Sequence, residues 1–154
     1  MDEVIQKPSV EEISDAFARN FPYVEVTKTA VRRVHAKVPR EHIFEVCKYA
    51  HDILTFEQCS VVMGIDYVDH MSVVYILTNY FTGTCIELTA DIPADDLHID
   101  SVTPIWEGAN WHERETWELF GIVFDNHPKL ERLLTPKTYE FFPFRKSYKL
   151  RGSE

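Results

Sequence analysis

Residues 106–134 read WEGANWHERETWELFGIVFDNHPKLERLL, and this stretch carries the strongest structural and functional signals in the chain. It contains all three tryptophans of the protein, Trp106, Trp111 and Trp117, and the acid–base–acid triplet at positions 113–115. Aromatic and arginine side chains contribute most of the binding energy at protein interfaces. A domain that needed only a hydrophobic core would not have to place its largest aromatic residues beside such charges. The stretch therefore predicts a docking surface for another protein.

The same residues predict a helix between two turns. Asn110 is of a type that caps helix N-termini, and Glu113 stands three positions later, which completes a capping-box pattern. Gly121 predicts the end of this helix, because glycine readily takes the left-handed conformation found there. An extended segment at residues 122–124 and a short helix at residues 130–134 are expected to follow.

The remainder of the chain predicts two further helices and a set of strands. Ser9 followed by Glu12 forms a second capping-box pattern, so a helix is expected over residues 9–20. Apolar residues at three-to-four spacing predict another helix over residues 39–54, with Cys47 on its buried face. Strands are expected, with hairpin turns joining the second, third and fourth segments, at residues 23–38 (one or two strands), 60–68, 71–80, 84–92 and 99–106.

This order of elements predicts an α+β fold: a single domain with a mixed, mostly antiparallel sheet, helices packed on it and an extended C-terminal strap. Residues 1–8 are expected to form a flexible lead, and residues 9–134 the folded domain. Residues 135–154 form the strap, which is rich in aromatic and basic residues and contains two prolines. Proline favours an extended segment and lowers the entropy lost when that segment lies over a partner.

The charge is acidic overall but basic toward the C-terminus. The 154 residues carry a formal net charge of -9, yet residues 129–151 hold seven Lys or Arg residues against two Glu. Nucleic acid is disfavoured as the main partner, because binding phosphates needs a net basic face. Basic residues interleaved with Tyr and Phe are nevertheless how single-stranded nucleic acid is held. A freestanding module that binds nucleic acid or protein through this tail therefore stays open as an alternative.

The cysteines and the apolar runs indicate where the protein works. Cys47, Cys59 and Cys85 are far apart, and an odd count without a CxxC pair predicts free thiols in a reducing compartment. The first residues show no signal-peptide pattern, and no apolar run approaches the roughly 20 residues that a membrane helix needs. We therefore expect a location on the cytoplasmic side, with any membrane contact made through other subunits.

No pattern for catalysis or metal binding emerges, so no catalytic, cofactor-binding or metal-binding residue is expected. The seven histidines form no HExxH motif or cluster at ligand spacing, and the cysteines are not grouped as iron–sulfur ligands. The five glycines build no phosphate-binding loop. Glu113 and Glu115 stand two positions apart and point to different sides of a helix. A small enzyme using either carboxylate is the least favoured hypothesis.

A family resemblance rests on the same part of the chain. Residues 106–122 read WEGANWHERETWELFGI, and further matching positions are Ser101-Val102, Phe124, His127-Pro128, Leu130, Arg132, Leu133-Leu134 and Pro143-Phe144-Arg145-Lys146. This pattern strongly resembles the C subunit of respiratory complex I, the thirty-kilodalton subunit family. The likeness is nearly continuous from residue 101 to residue 150.

The resemblance implies an accessory subunit of the hydrophilic arm of a proton-translocating redox complex. Such a subunit binds no cofactor itself, whereas the parent complex holds iron–sulfur clusters and a flavin. It braces the quinone-site subunit (D-like) and cluster-bearing subunits (B- and I-like) while electrons pass from NADH or a reduced deazaflavin to a quinone or phenazine. The implied location is peripheral, on the cytoplasmic side of the membrane. A subunit of a membrane-bound energy-converting hydrogenase is the alternative within the same group of complexes.

The docking surface and the resemblance together predict a set of partner-interface residues. Because the tryptophans and Phe120 cannot all fill one side of a ten-residue helix, some should bury against a partner. Arg114 is expected to make bidentate contacts with a carboxylate across the interface, held in place by Glu113 and Glu115. The full expected set is Trp106, Trp111, Glu113, Arg114, Glu115, Trp117, Phe120, His127, Arg132, Arg145 and Lys146.

Overall fold

A five-stranded mixed sheet forms the centre of the protein in the computed structural model, which describes residues 3–150 and residue 152. Neighbouring strands are antiparallel except β2 and β5, which run parallel. The expected mixed, mostly antiparallel sheet is therefore confirmed, and residues 23–38 supply two strands. The strands, in the spatial order β1-β2-β5-β4-β3, are β1 (Glu25–Ala30), β2 (Arg33–Lys37), β3 (Gln58–Asp66), β4 (His70–Thr78) and β5 (Cys85–Pro93).

Two helices supply the apolar side chains that cover one face of this sheet. Helix α1 (Val10–Asn20) begins with the predicted capping box, in which Ser9 Oγ accepts from the Glu12 N–H at 3.1 Å and Glu12 accepts from the Ser9 N–H at 2.9 Å. Helix α2 (Ile43–Asp52) follows one turn of 3-10 helix. Cys47 is fully buried on α2, as its place on the apolar face predicted.

Strand β5 shows how the alternating sequence pattern divides the two faces of the sheet. Its core-facing residues Ile86, Leu88, Ala90 and Ile92 are buried, whereas the residues between them are partly or fully exposed. A period of two sends successive side chains to opposite faces of a strand. The exposed face of the sheet therefore retains polar residues.

Helix α3 (Ala109–Phe120) joins two short strands that were not predicted to pair. Strands β6 (His98–Asp100) and β7 (Val123–Asp125) form a separate parallel sheet, and parallel neighbours require a crossover connection such as this helix. The expected strand at residues 99–106 is thus only β6, and turns follow it. The helix packs on the edge strand β3, where Thr116 Oγ1 donates to the Val62 carbonyl at 3.3 Å.

The two ends of the described chain contain no helix or strand. In the lead, the Ile5 N–H donates to the Ile53 carbonyl at 2.8 Å, and Thr55 Oγ1 donates to the Ile5 carbonyl at 3.0 Å. The helix expected at residues 130–134 is wrong, because this segment forms bends and turns. Parts of the expected lead (residues 1–2) and strap (residues 151, 153 and 154) lie outside the described residues. Within the described ranges, no helix has the length and apolar character needed to cross a bilayer.

Candidate partner interface

The N-terminus of α3 differs from the predicted capping box. The helix begins at Ala109, and Gly108, the residue before it, makes no side-chain capping bond. Glu113 points instead into the domain, where its carboxylate is 0% exposed. It accepts hydrogen bonds from the Ser101 hydroxyl at 2.6 Å, the Val102 N–H at 2.7 Å and the Thr103 hydroxyl at 3.1 Å. The prediction of Asn110 as the cap is therefore wrong, and Glu113 ties the loop after β6 to the helix.

Burial of the Glu113 carboxylate raises its pKa, and the hydrogen bonds from Ser101, Val102 and Thr103 oppose this shift by favouring the charged form. His127 lies beside it, with Nε2 at 3.8 Å from the carboxylate and a side chain only 1% exposed. The Lys129 N–H donates to His127 Nδ1 at 3.0 Å, which leaves Nε2 to face the Asn110 carbonyl at 3.3 Å. These contacts suit the neutral Nε2–H tautomer, and burial lowers the pKa of His127.

Three of the residues expected to meet a partner are therefore used inside the chain. Trp106 is 5% exposed, and its indole N–H donates to the Phe56 carbonyl at 3.0 Å. Glu113 and the His127 side chain are enclosed as described above. The expectation that these side chains contact a partner is wrong, because their surfaces are already covered by this domain. Glu113 also does not hold Arg114, since its carboxylate is taken up by the Ser101–Thr103 loop.

Glu118 fixes the beginning of the C-terminal strap to α3, and the sequence pattern did not reveal this role. Its buried carboxylate accepts from the backbone N–H groups of Leu133 at 2.7 Å, Leu134 at 3.0 Å and Thr135 at 2.5 Å, and from the Thr135 hydroxyl. Burial tends to raise the pKa of Glu118, but these bonds outweigh it, so the pKa is lowered. The amides that a helix at residues 130–134 would need are thus bonded to a side chain.

Arg132 holds the middle of the strap through aromatic contacts. Its guanidinium lies 5.5 Å from the ring centroids of Trp117 and Tyr139 and 5.8 Å from that of Phe142. Both terminal nitrogens also donate within the strap, to the Thr135 hydroxyl at 2.9 Å and the Phe141 carbonyl at 3.4 Å. Trp117 is half-buried beneath this cluster, so the strap covers part of the aromatic face of α3.

The end of the strap is fixed to the C-terminus of α3. Gly121 ends the helix with φ 81°, which confirms the predicted left-handed stop. Arg145 Nε donates to the Phe120 carbonyl at 2.6 Å, and the guanidinium lies 4.5 Å from the Phe142 centroid. A Cβ at position 121 would collide with this guanidinium, so glycine also makes room for the strap. The Lys146 N–H donates to Asp66 at 2.8 Å, which anchors the segment to the end of β3.

Arg114 is held in a similar way on the first half of α3. Its Nε donates to the Glu131 carbonyl at 2.9 Å, and its guanidinium lies 5.1 Å from the Trp111 centroid. Within residues 3–150 and 152, no carboxylate forms an ion pair with Arg114, Arg132 or Arg145.

Helix α3 and the strap together present a mixed aromatic and cationic area, here called the α3–strap surface. Its largest exposed rings are Trp111 (62% exposed), Phe141 (61%) and Phe144 (59%). Phe120 is half-buried and meets Phe144 edge-on at 5.8 Å. The surface consists of Trp111, Arg114, Glu115, Trp117, Phe120, Arg132, Phe141, Phe144, Arg145 and Lys146.

The cysteines do not provide ligands for an iron–sulfur cluster. Cys47 and Cys59 are buried, and burial raises the pKa of Cys59 to about 12, which disfavours the thiolate that ligation needs. Cys85 is half-buried on β5. Over the part of the chain that the structure describes, no group of three or more His, Cys, Asp or Glu residues could hold a metal ion. A cluster or flavin in a parent complex is therefore assigned to other subunits.

Comparison with known proteins identifies relatives of this chain. It is 38% identical over 152 residues to the C subunit of NADH-quinone oxidoreductase from Salinispora tropica, covering 92% of this chain and 62% of that protein. It is 38% identical over 125 residues to the C subunit of F(420)H(2) dehydrogenase from Methanosarcina mazei, covering 73% and 79%. The C/D subunit of NADH-quinone oxidoreductase from Yersinia enterocolitica is 34% identical over 162 residues, or 97% of this chain and 27% of that protein. The chain thus spans less than two thirds of the Salinispora relative.

Solved structures and a family model agree with these relatives. The trypsin-resistant fragment of Nqo5 superposes with a TM-score of 0.66 at 27% identity, covering 78% of this chain and 97% of that one. A chain in the membrane-bound sulfane sulfur reductase, an archaeal respiratory membrane complex, shares the fold with a TM-score of 0.82 at 24% identity, covering 92% and 86%. The family described as "Respiratory-chain NADH dehydrogenase, 30 Kd subunit" matches residues 36–154. The chain therefore belongs to the 30 Kd subunit family of respiratory-chain NADH dehydrogenase.

Proposed function

We propose that this chain is an accessory subunit of the hydrophilic arm of a complex I-like, ion-translocating oxidoreductase. The observation that carries the proposal is the α3–strap surface, where exposed rings accompany arginines that have no carboxylate partner within the described chain. Aromatic and arginine side chains of this kind are the usual anchors of protein interfaces. Family membership supports a partner within a respiratory complex.

The proposed role is to brace neighbouring subunits rather than to catalyse a reaction. We assign the iron–sulfur clusters and flavin of the parent complex to those neighbours, which would include a quinone-site (D-like) subunit and cluster-bearing (B- and I-like) subunits. The Yersinia relative, whose name combines the letters C and D, supports the first of these, because the part that matches this chain occupies only 27% of that single polypeptide. A fused chain keeps its two parts close together.

The electron donor is a matter for the complex, and NADH and a reduced deazaflavin are both supported. The Salinispora and Methanosarcina relatives are equally similar to this chain at 38% identity, and their names refer to different donors. We place the chain peripherally, on the cytoplasmic side of the membrane, with membrane contact made through its partners.

Co-purification tests this proposal directly. The full chain, carrying an affinity tag, would be expressed in its source organism, and the bound proteins would be identified by mass spectrometry. We expect quinone-site and cluster-bearing subunits in the eluate, together with donor-dependent electron transfer to a quinone or phenazine. The chain purified alone should show neither flavin and iron nor turnover. A flavin, a cluster or turnover in the isolated chain would contradict the proposal, as would an eluate without redox subunits.

The tail-based alternative makes a different prediction for the same isolated chain. A freestanding nucleic-acid module would bind oligonucleotides with an affinity that falls steeply as salt rises. We expect no such binding, because the net charge of -9 repels phosphate backbones. Fluorescence anisotropy with single-stranded DNA and RNA at low salt distinguishes the two functions.

A further inference from the structure

We infer that Arg114 and Arg145 are two preorganised receptors for carboxylates on a partner polypeptide, whereas Arg132 serves the internal structure of the strap. This inference rests on the proposed function, since it names the chemistry of the partner at the α3–strap surface. It follows from how each guanidinium spends its hydrogen-bond donors.

Arg114 and Arg145 share one arrangement on different parts of the surface. Each donates its Nε–H to a backbone carbonyl, that of Glu131 at 2.9 Å or of Phe120 at 2.6 Å. Each guanidinium also lies against a ring, that of Trp111 at 5.1 Å or of Phe142 at 4.5 Å. No hydrogen bond from the terminal nitrogens of either arginine reaches an acceptor among the described residues. The edge with the two terminal nitrogens is the one that binds a carboxylate in a bidentate manner.

Arg132 differs, because both of its terminal nitrogens already donate to the strap and its plane faces three rings. It has no comparable free edge to offer. Asp66 is the acid whose pKa responds to Arg145, yet its carboxylate bonds to the backbone N–H groups of Lys146 and Val68. The domain therefore offers neither receptor a carboxylate of its own.

The setting of the two receptors favours a protein segment over a lipid or nucleic-acid phosphate. Arg114 adjoins the exposed ring of Trp111, and Arg145 follows the exposed ring of Phe144. A ligand that fills both kinds of contact must bring apolar side chains next to its anionic groups. A polyanionic surface would also face a chain of net charge -9. The partner expected here is a segment with at least two Asp or Glu residues flanked by apolar residues.

Holding the guanidinium planes in advance has an energetic consequence. An unrestrained arginine loses side-chain entropy when it forms a bidentate pair, and this loss offsets part of the attraction. The Nε bond and the ring contact already restrict Arg114 and Arg145 in the unbound chain. A larger share of the charge-assisted hydrogen bonding therefore appears as binding affinity.

Cross-linking in the assembled complex tests for the carboxylates. The full chain would be expressed as R114K, R145K and, as a matched control, R19K, where Arg19 is an exposed residue of α1. A water-soluble carbodiimide joins a lysine amine to a carboxylate as an amide, and peptide mass spectrometry identifies both residues. We expect Lys at positions 114 and 145, but not at 19, to be joined to Asp or Glu of another polypeptide. Links only to acids of this chain, or none in an assembled complex, would overturn the inference.

Salt stripping provides a second measurement in case the lysine variants do not assemble. Retention of this chain in the complex would be followed at rising NaCl for Arg, Gln and Glu at positions 114 and 145. A facing carboxylate predicts the order Arg, then Gln, then Glu, with each Gln variant weaker by at least about tenfold. Equal retention of the Gln and Glu variants would contradict the inference. Loss of retention with cross-links to no peptide would instead indicate another anion, such as a lipid phosphate, and also overturn it.

These outcomes are separate from failure of the proposed function. If the wild-type chain captures no redox subunits, the proposed function fails before any variant is compared. If it captures them and the variants behave as R19K and R19Q do, only the carboxylate receptors are rejected. Thermal unfolding of each free variant shows whether lost retention comes from lost folding.

Discussion

Glu113 and His127 show how single residues in a charged motif can belong to the interior. The Glu113 carboxylate is enclosed by donors from Ser101, Val102 and Thr103, and the imidazole of His127 is fixed in its neutral form beside it. An enclosed anion is tolerated only when its hydrogen bonds replace those of water. These two side chains therefore determine the stability and the pH response of the domain.

Replacing Glu113 by Ala should destabilise the free chain by roughly 3 kcal/mol or more, because three donors lose their acceptor inside the domain. Urea unfolding measures this free energy. The matched control is E115A, which removes an exposed carboxylate on the same helix and should change stability by less than about 0.5 kcal/mol. Similar stabilities for the two variants would mean that the Glu113 network contributes little.

His127 should make the domain sensitive to mild acid. Its pKa is lowered in the folded state, so its contribution to stability is present above the ordinary pKa of about 6.5 and is lost as pH falls through the folded value. The H127Q variant stays uncharged throughout. Melting temperatures from about pH 8 to about pH 5 should therefore fall more for wild type than for H127Q. Parallel pH profiles would show that protonation of His127 is not linked to folding.

At the scale of elements, the C-terminal strap is held to α3 by side chains rather than by regular secondary structure. Glu118 binds three consecutive amides at the start of the strap, and Arg145 and Lys146 fix its end. A segment without a helical or sheet ladder depends on these few contacts. The shape of the α3–strap surface therefore depends on Glu118.

The E118Q variant should loosen the strap while leaving the sheet intact. The pKa of Glu118 is lowered, so its stabilisation is present above the ordinary glutamate value of about 4.3 and is lost as pH falls through the folded value. Near neutral pH, hydrogen exchange at the amides of residues 133–135 should quicken by at least about tenfold. The variant E115Q, on the same helix, should leave exchange unchanged. Unaltered exchange in E118Q would show that other contacts hold the strap.

At the scale of the whole molecule, the acidic domain carries a localised aromatic and cationic area. Trp111 and Phe144 lie exposed on the α3–strap surface, beside arginines that the described chain does not neutralise. Exposed rings elsewhere, Tyr80 and Phe81 at the turn between β4 and β5, lie outside this surface and provide a comparison of equal chemistry.

Truncating Trp111 should weaken assembly without unfolding the chain. Because its ring is 62% exposed, W111A should change the unfolding free energy by less than about 0.5 kcal/mol. Loss of an interface anchor should weaken binding to the partner complex by about 2 kcal/mol, or roughly thirtyfold. Quantitative co-purification against wild type measures this effect. The control F81A removes a ring that is 77% exposed and should assemble normally, whereas equal losses in both variants would remove the special role of the surface.

The sequence by itself determined the elements whose signals are local. Capping at Ser9 and Glu12, the left-handed stop at Gly121 and the alternation in β5 each depend on residues a few positions apart. Such short-range preferences act in any chain context, so α1, the hairpin strands and the end of α3 were predictable. The ERE-containing stretch also carries the family resemblance, which the family match confirms.

Only the tertiary structure decided which charged and aromatic side chains face inward. Glu113 meets a loop ten to twelve residues earlier, Trp106 donates to Phe56, and Glu118 takes the amides that would otherwise form a helix at residues 130–134. The parallel pairing of β6 with β7 likewise joins residues on either side of α3. Hydrogen bonds between distant residues outweighed the local capping and helix preferences, because an unpaired polar group inside a domain is more costly than a lost cap.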